Sequence, residues 1–249
     1  MAEPLRLYGM KALVTSAAGG IGEAVARTLV KHGAEVLAVD GPKTAVEQHF
    51  AAVRGIHGLA TSFNDPDRIP ALVEQAAAKL GALDILVNDF PLTPQTPITG
   101  EGGGLDELLR LRAELIMAMA RSALPYLKKS PAGRIINMGF LRSAFAADAH
   151  AASQRAERDL AAVSRALAAE TGGFGITANH VQPGGIMTPE SRDVFRKDKA
   201  LRDYCIASSA AKRLGEPVDV AKVVLFLASD DAVFVSGTGV AVDGGRIDD

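Results

Sequence analysis

The chain has 249 residues, 48% hydrophobic and 22% charged, which is apolar material for one α/β core and leaves little room for a second domain. A net charge of -2, scattered Lys and Arg, three Tyr and no Trp argue against nucleic acid or an anionic membrane as partner. One cysteine, Cys205, gives neither a disulfide framework nor a soft metal cluster, so no metal is expected.

The first β-branched run, residues 11–15, passes through a glycine-rich loop into an amphipathic stretch at 21–31. A strand at 35–40, a helix at 44–53, a strand at 58–62 and a helix at 69–80 follow. Then come a strand at 83–88, a long helix at 105–128 and a strand at 134–138. A helix at 153–171, a strand at 177–182, a helix at 218–228 and a strand at 239–242 complete the series. Short apolar runs alternating with longer amphipathic ones signal βαβ units. The prediction is a single α/β domain over residues 1–249, with a doubly wound, seven-stranded parallel sheet between two helical layers. Right-handed crossovers would set every strand's C-terminal end along one edge, where such sheets bind ligands.

Two segments interrupt the pattern. Residues 89–104 carry Pro91, Pro94, Pro97 and three consecutive glycines, and are predicted to be a loop. Residues 187–214 are charged and irregular, in the place of a substrate lid. A short polar N-terminus and the lack of a long apolar run lead to the expectation of a soluble cytoplasmic protein.

The run Thr15-Ser16-Ala17-Ala18-Gly19-Gly20-Ile21-Gly22 joins the first strand to the first helix. Glycines there let backbone N–H groups approach a pyrophosphate, and the helix dipole favours the anion. Asp40 ends the second strand, where a carboxylate can accept hydrogen bonds from an adenosine ribose and repel a 2′-phosphate. NAD is thereby favoured over NADP. The same glycines would equally serve close helix–strand packing, and Asp40 could simply end its strand.

On these residues the chain resembles the short-chain dehydrogenase/reductase family, whose fold is of the Rossmann type. Thr15, Gly20, Ile21 and Gly22 match its glycine motif, and Leu83-Asp84-Ile85-Leu86-Val87-Asn88 its fourth strand. Asn179 to Pro189 is similar to the segment that holds the nicotinamide carboxamide. Arg213-Leu214-Gly215-Glu216-Pro217, Ser236-Gly237 and Val242-Asp243-Gly244-Gly245 resemble the C-terminal pattern. The resemblance implies an NAD-linked oxidoreductase and makes Ser16, Gly20, Ile21, Gly22, Asp40, Asn88, Pro183, Ile186 and Thr188 the cofactor-binding candidates.

The family's chemistry uses Asn, Ser, Tyr and Lys, and here the pattern breaks. The Ser position, at the end of Ile136-Asn137-Met138-Gly139-Phe140, is Phe140; the Tyr position is Ser153, the Lys position Glu157 and the Asn position Arg112. None can take over its predecessor's role: Phe donates no hydrogen bond to an alkoxide, and a carboxylate disfavours an anion beside it. A shifted alignment puts His150 at the Tyr position and Gln154 at the Lys position, and a His titrates near neutrality. Arg112 and Glu157 are expected to form a partly buried ion pair where the resemblance implies a water-bridged proton relay in the family. Ser16 replaces the motif's first glycine, tolerable if that turn avoids positive φ. Phe90 and Pro91 stand where small residues leave room for a cofactor, and Ser62 replaces an Asp near the adenine.

Intact assembly segments with erased chemistry suggest a non-catalytic subunit of a homo- or hetero-oligomer, a tetramer in this family, with an active dehydrogenase as possible partner. By its pattern of loss the chain resembles the inactive subunit of a hetero-oligomeric hydroxyacyl-CoA dehydrogenase of the benzylsuccinate pathway type. The alternatives are a rewired, cofactor-free lyase, isomerase or hydrolase using His150, Glu157 or Asp148, and a nucleotide-sensing binding protein.

Overall fold

The computed structural model describes residues 6–91, 98–99 and 104–247. Seven parallel strands form one sheet in the order β3-β2-β1-β4-β5-β6-β7. In chain order these are β1 (Lys11–Thr15), β2 (Glu35–Asp40), β3 (Ile56–Ala60), β4 (Ile85–Asn88), β5 (Arg134–Met138), β6 (Thr177–Pro183) and β7 (Gly239–Val242). The helices are α1 (Gly20–Lys31), α2 (Val46–Phe50), α3 (Ile69–Leu80), α4 (Gly104–Leu127), α5 (His150–Thr171), α6 (Pro189–Lys197), α7 (Lys199–Ala207) and α8 (Pro217–Ala228). The order reverses between β1 and β4, so the C-terminal ends of those strands open a crevice at the switch point.

Alternation along each strand divides the core in two. Ala12 and Val14 face α1 and α8, while Leu13 between them faces α3 and α4. Both sheet faces are buried, which accounts for the near-continuous apolar strands β4 and β5. Full burial of a side chain such as Leu13 or Phe50 stabilises by roughly 1.5–3 kcal/mol.

The structure moves several boundaries, two of them with a clear local cause. The third strand begins at Ile56, two residues before the predicted start, because Gly55 turns the chain at φ 88°. The predicted helix over 44–53 shortens to α2, which lies directly on the sheet: a Cβ on Gly58 would sit 2.5 Å from the Glu47 backbone. The predicted irregular lid is instead two short helices, α6 and α7. Thr188 and Ser191 form a reciprocal capping box at the start of α6, and Asp198 caps α7 through the Leu201 N–H at 2.8 Å. Of the loop predicted over 89–104, residues 92–97 and 100–103 lie outside the described residues. Among the described residues, no helix is long and apolar enough to cross a membrane.

Candidate functional site

The C-terminal ends of β1, β4 and β5 and the first turn of α6 enclose a cleft of about 630 Å³. Its floor includes Phe90, Met138 and Phe140, and its rim the glycine loop with Asp40, Thr188 and Glu190. The loop's geometry follows from a few contacts. Thr15 Oγ1 donates to the Asp89 carbonyl at 2.7 Å and accepts the Asp89 N–H at 2.8 Å, pinning β1 to the chain after β4. Ser16 takes φ 54°, so the turn does need positive φ, contrary to the condition on which its replacement of glycine was tolerable. Its hydroxyl donates to the Asp89 carbonyl at 3.1 Å, a local bond that offsets part of that strain. Asp40 anchors the other side: Oδ2 accepts the Ala18 N–H and Oδ1 the Gly41 N–H, both at 2.7 Å.

Ser16, Gly20, Ile21, Asp40 and Thr188 line the cleft. Gly22 serves packing, since a Cβ there would overlap the Ser16 carbonyl oxygen. Asn88 lies inside the sheet, donating to Asn137 Oδ1 at 2.9 Å, and is fully buried. Ile186 belongs to the core, and Pro183 faces a different pocket. The Thr188 hydroxyl accepts the Ser191 N–H at 3.1 Å within the capping box.

The four positions aligned with the family tetrad do not converge. The Arg112 guanidinium lies over the Phe140 ring, 3.8 Å from its centroid, and donates to the Met138 carbonyl. Ser153 and Glu157 open instead on a second pocket of about 360 Å³, with Arg142, Arg246 and Pro183. Glu157 Oε1 accepts from Arg246 Nη1 at 3.0 Å and from Ser153 Oγ at 3.5 Å. The expected Arg112–Glu157 pair is therefore corrected: each residue has a different partner. Phe140 gives the Arg112 cation an apolar face to cover, and Arg246 from the C-terminal segment takes Glu157.

His150, first residue of α5, packs edge-on against Tyr204 of α7 at 5.5 Å between centroids, with 3.2 Å from Nδ1 to the Tyr204 hydroxyl. It does not line the cleft. Phe90 leaves the cleft open because its ring turns inward onto Phe63, 5.9 Å away, and is fully buried.

Two cleft residues escaped sequence reasoning. Asp89 directly follows Asn88, yet nothing in the sequence shows its environment. Burial pushes its carboxyl up to about 7; Arg112 works against that shift, and Glu190 and Asp40 add to it. Burial also brings Arg112 down to about 10, with Asp89 opposing. Glu190, second residue of α6, carries its Oε2 to 3.3 Å from where a Cβ on Gly20 would stand. Among the described residues the cleft walls thus hold three carboxylates and no Lys, Arg or His. No group of three or more His, Cys, Asp or Glu among the described residues is arranged to hold a metal ion.

Residues 16–246 match a family model described as enoyl-(acyl carrier protein) reductase. The chain is similar to the 3-oxoacyl-(acyl-carrier-protein) reductase FabG of Thermotoga maritima, 27% identical over 98% of this chain and 100% of the relative. It is 30% identical to the FabG protein of Escherichia coli K12, covering 97% of this chain and 98% of that one. For the FabG protein of Haemophilus influenzae the figures are 31%, 96% and 98%.

Proposed function

The chain belongs to the short-chain dehydrogenase/reductase family, and we propose that within it the protein is a non-catalytic subunit of an oxidoreductase assembly. One observation carries the reading: Phe140 at the cleft floor covers the buried Arg112, while Ser153 and Glu157 face another pocket with Arg246. No side chain at the tetrad positions delivers a proton to a substrate oxygen beside Phe140. Losing acid–base help alone lowers rates by about 10²–10⁴.

The surface supports an assembly role. Among the described residues edge strand β7 pairs on one side only, and the segment before it exposes Val233 (64%) and Phe234 (101%). The outer face of α5 presents Ala162, Ala166 and Ala169 to solvent, small enough for close helix–helix approach. The partner is a second copy or an active dehydrogenase of the same family, in a tetramer. The test is to express the chain alone and with a dehydrogenase encoded beside it, then compare mass and turnover. A stable mixed complex whose activity survives Ser153→Ala and Glu157→Gln supports the proposal. A monomer that binds neither itself nor that dehydrogenase refutes it.

A second reading rests on Asp89, a carboxyl in a mostly apolar cleft with its ionisation moved to about 7. Such a group suits cofactor-free proton transfer, for which His150 and Glu157 are poorly placed. Activity of the isolated chain that disappears in Asp89→Asn would favour it.

A further inference from the structure

The family's fold implies a nicotinamide dinucleotide in the cleft, its pyrophosphate on the glycine loop and the N-terminus of α1. The residues present do not fit that group. An α-helix N-terminus accepts an anion because its first N–H groups lack partners and the peptide dipoles point their positive end outward. Here a carboxylate of the chain itself lies close to that end of the helix. We propose that the Glu190 carboxylate stands as an internal anion at Gly20, in the place of the pyrophosphate, and that this residue excludes the dinucleotide from the cleft.

Three observations converge on Glu190. First, its Oε2 lies 3.3 Å from the position of a Cβ on Gly20, the first residue of α1, so a phosphate and this carboxylate cannot share the space. Second, the backbone turn that carries its exposed side chain is fixed. Pro189 and the Thr188–Ser191 capping box fix the first turn of α6, and Ser191 Oγ also donates to the Ile186 carbonyl at 2.5 Å. Third, nothing nearby would compensate a phosphate that displaced it. Among the described residues the cleft walls carry Asp40, Asp89 and Glu190 and no basic side chain. The Ala18 N–H, a donor of the loop, is already taken by Asp40. Arg112 lies beneath Phe140 and is 4% exposed, so its charge acts on Asp89 from below and does not reach the cleft as a ligand.

A subunit without chemistry could still hold a dinucleotide as a structural element, so this inference stands apart from the partner reading. The test titrates NADH into the intact wild type and into Glu190→Gln, Glu190→Ala and Asp40→Asn, followed by calorimetry. The wild type is expected to show no saturable binding up to about 1 mM, and Glu190→Ala to bind at least about tenfold more tightly. Glu190→Gln, which loses the charge and keeps the bulk, should fall between them. Asp40→Asn, which leaves Glu190 in place, should gain far less than Glu190→Ala. Wild-type binding in the micromolar range overturns the proposal. So does one affinity shared by wild type and the Glu190 variants, measurable or not, or an equal gain from Asp40→Asn. Melting curves of each variant separate a lost fold from a lost site.

Discussion

The Arg112 guanidinium lies 3.8 Å from the centroid of the Phe140 ring. The two positions that the sequence aligns with the family's Asn and Ser thus form one packed unit. The cation covers an aromatic face, donates to the Met138 carbonyl and offsets part of the charge on Asp89. The floor of the cleft there is apolar, formed by Phe90, Met138 and Phe140. Each side chain depends on the other for packing: the Phe140 ring covers the Arg112 cation, which is buried beneath it.

Arg112→Ala should destabilise the fold by roughly 2–4 kcal/mol, the cost of removing a buried charged partner and its packing. Urea denaturation measures it. The Arg112/Glu157 double-mutant cycle should give a coupling near zero, within about 0.3–0.5 kcal/mol, since the two share no partner. A coupling above about 1 kcal/mol would restore the ion pair that the sequence suggested.

Glu157 and Arg246, with side chains 31% and 17% exposed, should couple by about 0.5–1.5 kcal/mol in the corresponding cycle. Part of that coupling should disappear in high salt, because the pair is only partly shielded from solvent. Because Arg246 ties the C-terminal segment to α5, Arg246→Ala should also speed hydrogen exchange over β7.

Asp89 sets a pH dependence whose sign can be worked out. Its folded value of about 7 lies above the ordinary 3.8, so the folded state holds a proton that the unfolded chain releases. This group's contribution therefore falls as pH rises from about 4 to about 7 and stays low above that. Asp89→Asn should be more stable than wild type at pH 8 by about 1–3 kcal/mol, and the gap should close towards pH 4. His180 works in the opposite direction. Burial lowers it to about 4, with Arg165 adding to the shift, so stability falls as pH drops from about 6.5 towards 4. The Asn variant should keep that acid limb and lose the decline on the alkaline side; thermal melts across pH 4–8 read both.

Gly22→Ala should destabilise by more than about 3 kcal/mol or prevent folding, because the new methyl overlaps the Ser16 carbonyl oxygen at the first turn of α1. Ser16→Gly should cost little or stabilise by up to about 1 kcal/mol, trading a hydroxyl bond for relief at φ 54°. If Ser16→Gly were the more damaging of the two, the turn would not be strained as described.

Much of this was legible in the sequence because it is periodic or local. Seven strands read from alternating apolar runs, and four of them, including β1 and β2, keep the predicted bounds. Asp40 was legible because its place at the end of β2 fixes its neighbours. The tetrad positions followed from spacing along β5 and α5. The partners of Arg112 and Glu157 did not, because a long side chain's direction depends on what packs beside it, and Phe140 and Arg246 meet them only in three dimensions. Glu190 was hidden for the same reason: its contact with Gly20 joins residues far apart in sequence. Helices α6 and α7 were missed since their short, highly charged sequences are held by caps at Thr188 and Asp198 more than by an apolar stripe.

If the chain is a non-catalytic subunit, it does not transfer hydride by itself. A single-turnover experiment tests it directly: the purified chain in excess over NADH or NADPH, with a 3-oxoacyl thioester as acceptor, followed at the nicotinamide absorbance. The account predicts decay no faster than without protein, and decay at an active subunit's rate once that partner dehydrogenase is added. Stoichiometric oxidation of the nicotinamide by the isolated chain, abolished by replacing Ser153 or Asp89, would contradict it.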